Sequence, residues 1–191
     1  MKKLIGLQLA LLAFAASAFA DTAHFYVNAQ WMRPTTSNAC ERLLTGGTTD
    51  KTMWQCDNNE FVWIPLYYPT NVSANSFTVK LFVRSAETDS GKSLCFSAGI
   101  DAGVVGGAWE DVDGTYGTAQ SGSVASLTSA NATNAITISD VVAWDEHNGA
   151  DCNSITCSGV PMVLLLEREN CASNTSEAVD IIGADVEWAV E

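Results

Sequence analysis

The chain has 191 residues, with 22 Asp and Glu against 9 Lys and Arg and a formal net charge of −13 at pH 7. That balance argues against a nucleic-acid ligand and against an anionic membrane surface, since both are held by positive charge. The length suffices for one domain with a sizeable core. Residues 1–20 read as an export signal. Lys2 and Lys3 form the charged start, residues 4–16 the apolar stretch, and Ala18-Phe19-Ala20 a small-residue cleavage site before Asp21. All 22 acidic residues but only 7 of the 9 basic ones follow that site, so residues 21–191 carry a formal charge of −15. The expected product is secreted or at the cell surface, in an extracellular or periplasmic setting, with no membrane contact after cleavage.

The exported part opens on a regular alternation. Ala23, Phe25, Val27, Ala29 and Trp31 fall on one face and His24, Tyr26, Asn28 and Gln30 on the other, the period-2 signature of a strand. Residues 35–59 contain Gly46-Gly47, two cysteines and many polar residues, and read as a long cysteine-bearing loop. Strands are expected at residues 60–68, 76–84 and 92–101. Pro65 places the first of them at an edge or a bulge. Residues 102–116 are glycine-rich, 115–127 are strand-like, and 134–142 form a further strand. Residues 144–159 read as a second cysteine-bearing loop. The run at 160–167 is nearly continuous in apolar residues and reads as a buried strand. In the last run, 179–190, Ile182, Ala184, Val186, Trp188 and Val190 share one face, and Asp185 and Glu187 lie on the other. No stretch repeats at 3.6 residues. The predicted fold is all-β: one domain over residues 21–191, an antiparallel two-sheet β-sandwich of about eight strands, jelly-roll-like and stabilised by disulfides.

Six cysteines in an exported chain imply up to three disulfides among 15 connectivities. Proximity in the chain favours Cys40 with Cys56 and Cys152 with Cys157, which leaves Cys95 with Cys171. A cysteine–histidine zinc site is disfavoured, because the only histidines, His24 and His147, are not beside a CxxC pair.

The order of strands from Phe61 onward, and above all LLLERENCASNTSEAVDIIGADVEW from Leu164 to Trp188, resembles jelly-roll sandwich domains. Such domains occur in phage virion and tail-type proteins and in related secreted bacterial surface proteins. Glu167, Arg168 and Glu169 match the charged end of one strand; Gly183, Val186, Glu187 and Trp188 match the closing strand. The resemblance implies fold rather than activity.

Chemical motifs are scarce. There is no GxSxG and no HExxH, and two histidines leave few general bases. Asp185 and Glu187, two residues apart on one face, are compatible with a glycosidase carboxylate pair, but a solvated sheet face has the same pattern. The chain is therefore expected to be non-enzymatic. No cofactor is expected, with calcium as the one open case: Glu110, Asp111 and Asp113 before Gly114 place carboxylates on a tight turn. Trp109, Tyr116 and Trp144, in or beside predicted loops, form a candidate stacking platform for glycans. The strand Ala23, Phe25, Val27, Ala29 and Trp31 pairs either within its own sheet or with a neighbour's sheet by strand addition. The functional expectation is an exported, non-enzymatic surface or structural component, with self-assembly through this strand left open; the alternative is an extracellular glycan-binding module.

Overall fold

Alternation of apolar and polar residues favours extended backbone, since it lets a sheet bury one face and wet the other. The described residues form twelve strands: β1 (Thr22–Asn28), β2 (Arg33–Pro34), β3 (Glu41–Thr45), β4 (Lys51–Cys56), β5 (Phe61–Tyr67), β6 (Val72–Ser85), β7 (Ser93–Ala102), β8 (Gln120–Ala125), β9 (Thr133–Asp145), β10 (Ala150–Asp151), β11 (Pro161–Glu169) and β12 (Val179–Val190). The structure is a computed structural model that describes residues 21–35, 37–45, 51–85, 92–102, 119–125, 132–145, 150–152, 157, 159–172, 175 and 177–190. The expected export signal lies outside these residues.

One layer runs β9–β6–β12, with β1 and β4 end to end along the far edge of β12 and β3 beyond β4. The other runs β2–β5–β11–β7, with β8 and the end of β9 along the far edge of β7. β9 crosses between the layers. Its first part pairs with β6, and Ala143 to Asp145 pair in parallel with β7. A bulge precedes the crossing, and Asp140 there has φ 59°, a left-handed conformation that Asp tolerates better than most side chains. Hydrogen bonding thus wraps one side of the sandwich. On the opposite side, β1 and β5 border the two layers.

Several expectations need correction. Residues 35–59 hold the β3–β4 hairpin, where a loop is expected. Trp144 lies within β9, not on a loop. β1 ends at Asn28, and Ala29–Trp31 is a single 3₁₀ turn. β1 pairs with β12 of its own chain along all seven residues, from Thr22↔Ala189 to Asn28↔Gly183. Of the two readings of this strand, the intramolecular one describes the structure.

The two closing runs are the central strands of the two layers. β12 does not alternate as the sequence implies: a register shift between Ile181 and Gly183 reverses its parity, so Val179 and Ile181 enter the core together with Ala184 and Val186. In β11, Met162, Leu164 and Leu166 face the core, while Val163 and Leu165 are buried on the other face, which accounts for the continuous apolar run. Arg168 follows in the inward parity and is 1% exposed. Its guanidinium donates to the carbonyls of Cys56 (2.7 Å) and Thr175 (2.9 Å), tying β11 to the end of β4 and to the segment before β12. Three disulfides join Cys40 to Cys56, Cys95 to Cys171 and Cys152 to Cys157. In the chain-entropy account the longest loop is worth on the order of 4 kcal/mol.

Gly183 sits where β1 meets β12, and a Cβ there would stand 2.7 Å from the carbonyl oxygen of Val27. Gly183→Ala is therefore expected to push β1 outward and to destabilise the fold by about 1–3 kcal/mol in urea unfolding. Burial and the neighbouring Glu169 raise the Glu167 carboxyl above its ordinary value of 4.5, partly offset by a hydrogen bond with Ser97. A carboxyl raised in the folded state favours folding when protonated, and that contribution is lost as pH rises through the shifted range. Glu167→Gln is accordingly expected to match the parent well below pH 4.5 and to be the more stable protein at neutral pH.

Candidate functional site

The sequence Asn28-Ala-Gln-Trp31 leaves its strand because local hydrogen bonds favour a turn over further ladder. The Asn28 side chain accepts from the Gln30 backbone N–H at 2.9 Å, and the Trp54 indole donates to the Ala29 carbonyl at 2.7 Å. Ala29 and Met32 are wholly buried beneath the turn. Arg33 donates to the carbonyls of Gln30 and Met32 and holds the exit. The turn carries Trp31 outward, leaving it 54% exposed.

β5 borders the other layer. β2 pairs with it only at Trp63 and Val62, so that Pro65 to Tyr67 extend past this partner. Proline at such an edge leaves no ladder bond unmade, because it has no N–H to donate. Val62, Ile64 and Leu66 point into the core, and Tyr67 stands 74% exposed.

Between these borders lies a groove of about 290 Å³, lined by Phe25, Trp31, Pro65, Leu66, Tyr67, Met162, Val186 and Trp188. Its size is near the lower bound of small-molecule sites, roughly 300 Å³. The Phe25 and Trp31 rings lie 6.1 Å apart at 49°. Trp188 also contacts Phe77 (6.4 Å), which meets Tyr68 edge-on at 5.5 Å. Two polar atoms of this aromatic row are buried without a hydrogen-bond partner, the Trp188 indole N–H and the Tyr68 hydroxyl. Burial raises the Tyr68 phenol above its ordinary value of 10.0. The lining side chains carry no formal charge. A wall of this kind suits a flat, uncharged ligand with apolar faces, and an ion gains little there.

The residues expected from sequence are distributed differently. Trp109, Tyr116, Glu110, Asp111 and Asp113 lie outside the described residues. Trp144 is half-buried in β9, in register with Asp101 and Asp151, and does not line the groove. From the N-terminal strand, Phe25 and Trp31 reach the groove, while Val27 and Ala29 are core. Asp185 is only 4% exposed, so the carboxylate pair with Glu187 is not presented to a glycosidic bond from both sides, as hydrolysis requires. Sequence reasoning passed over Pro65, Tyr67 and Trp188. The available signal was the outward face of EFVWIPLYY, where Trp63, Pro65 and Tyr67 put bulky apolar groups on the wet side of a strand.

No protein-family model and no curated protein matches the chain. Solved structures do. The xylan-binding module CBM15 is 11% identical and superposes with a TM-score of 0.50, covering 90% of this chain and 99% of its own. A CBM35 from Cellvibrio japonicus Abf62 is also 11% identical, with a TM-score of 0.49 and coverage of 88% and 99%. At this identity the likeness establishes the fold, a jelly-roll β-sandwich. It does not extend to phage tail-type proteins specifically.

Proposed function

We propose that this chain is an exported, non-catalytic glycan-binding module whose ligand lies in the groove between Trp31 and Tyr67. The observation that carries this reading is the pair of exposed aromatic side chains standing at an apolar groove, one of them on a turn held in place by Trp54 and Asn28. A contiguous exposed apolar patch, unlike a single exposed side chain, marks a ligand-binding or interaction surface. The apolar face of a pyranose ring packs on an indole or phenol face. Because the turn is already formed, little conformational entropy is lost on binding. Three disulfides with no free cysteine among the described residues suit an oxidising, extracellular setting. The xylan-binding module that shares the fold names the first ligand class to try.

Xylo-oligosaccharides titrated into the disulfide-intact protein are expected to change tryptophan fluorescence and to release heat. Trp31→Ala and Tyr67→Ala should each weaken binding about tenfold, the equivalent of about 1.4 kcal/mol. Leu44→Ala, at an exposed residue of the β3–β4 hairpin, should bind like the parent. Parent-like affinity in both aromatic variants, or no response to xylan, glucan or mannan fragments, contradicts the assignment.

A further inference from the structure

The opposite face of the same strand pair carries a second cluster. His24 on β1 lies 3.3 Å from Asp185 and 3.6 Å from Glu187, both on β12, measured from Nδ1 to the carboxylate oxygens. One donor atom from each of the three residues falls within 4.8 Å of the other two. We propose that these residues bind a divalent transition-metal ion of the zinc class, at a site separate from the groove.

The state of Asp185 separates this cluster from an ordinary acidic surface. Its side chain is 5% exposed, and its Oδ1 is buried with no hydrogen-bond partner. A dehydrated carboxylate is costly unless a positive group or hydrogen-bond donors compensate it. Asp180, the other buried carboxylate of β12, has one: Arg84 donates to its Oδ2 from Nε at 3.0 Å and also from Nη2, and Gln55 reaches its Oδ1. Among the described residues, Asp185 has one such group, an imidazole that is itself 37% exposed. Lys80, its register neighbour on β6, holds its ammonium 5.8 Å from the Phe82 ring centre. The deficit at Asp185 is one of positive charge, which a bound cation supplies.

Geometry and donor type narrow the ion. A tetrahedral ion with bonds of about 2.1 Å holds its ligands about 3.4 Å apart; the two separations from His24 lie near that value, and the one between the carboxylates is within 4.8 Å. One nitrogen and two carboxylate donors suit zinc and its neighbours, whereas calcium takes six to eight oxygen ligands. Three protein ligands leave a fourth position for water. Tyr26 stacks on the imidazole at 5.8 Å and 4°, fixing the plane of the ring. Alternation along β1 sends His24 to one face and Phe25 to the other, so the cation site and the groove can each be removed without the other.

The test is calorimetric titration of the chelator-stripped, disulfide-intact protein with zinc chloride, and with calcium chloride in parallel. One zinc per chain is expected, with affinity reduced tenfold or more by His24→Ala and by Asp185→Asn. Both side chains lie on the outer face of the sheet; should either variant fail to fold, the more exposed Glu187→Gln serves in its place, with the same expected loss. Absence of zinc binding, a preference for calcium, or unchanged zinc affinity in the variants overturns the assignment.

Discussion

The antiparallel register of β1 on β12 is the constraint on which the rest depends. With Phe25 opposite Val186 and His24 opposite Glu187, alternation sends one set of side chains toward the groove and the other to the outer face. A slip of one residue would exchange the faces, placing His24 against the core and Phe25 in water. The hydrophobic pattern of both strands forbids that slip. Gly183 adds to the specification, since the Val27 carbonyl lies in the space a side chain would fill. One strand pair thus supports the proposed glycan groove and the proposed cation site.

The groove follows from how the sandwich is closed. β9 passes from one layer to the other and seals that side with backbone hydrogen bonds, while the side bordered by β1 and β5 depends on side chains and on the turn at Ala29–Trp31. Trp54 joins this turn to β4, and β4 is held to the rest by the Cys40–Cys56 disulfide and by Arg168. The hairpin that β4 completes therefore braces the turn that presents Trp31. A buried arginine bonded to carbonyls of two separate segments fixes their relative position with directional bonds that apolar packing does not provide.

Much of the architecture was legible because it rests on period and composition. The strands at 60–68, 76–84 and 92–101, the absence of helical periodicity and the continuous run of β11 all lead to a sandwich; two of the three disulfides join the pairs that chain proximity favoured, and the third joins the two cysteines those pairs leave over. What was misread depends on single contacts. The bulge at Ile182 reverses the parity of β12, and no local pattern announces it. Trp31 continues the alternation of β1 in the sequence, yet Asn28 and Trp54 turn it out of the strand; Trp54 is 23 residues away and recognisable only in the fold. Tyr67 and Trp188 become neighbours through the packing of two layers. His24 and Glu187 meet across a ladder between segments far apart in the sequence, which explains why Asp185 and Glu187 read as a free carboxylate pair.

The account is tested most directly by a cross-link across that ladder. The Asp21 carbonyl accepts from the Val190 N–H at 2.9 Å, which makes Thr22 and Ala189 a non-hydrogen-bonded pair. Such pairs hold their Cα atoms about 4.5 Å apart, within reach of a disulfide. The double variant Thr22→Cys, Ala189→Cys is predicted to run as a monomer on a non-reducing gel and to yield a disulfide-linked peptide joining residues 22 and 189 of one chain. Disulfide-linked dimers or a ladder of multimers, or two thiols that remain free, would contradict it.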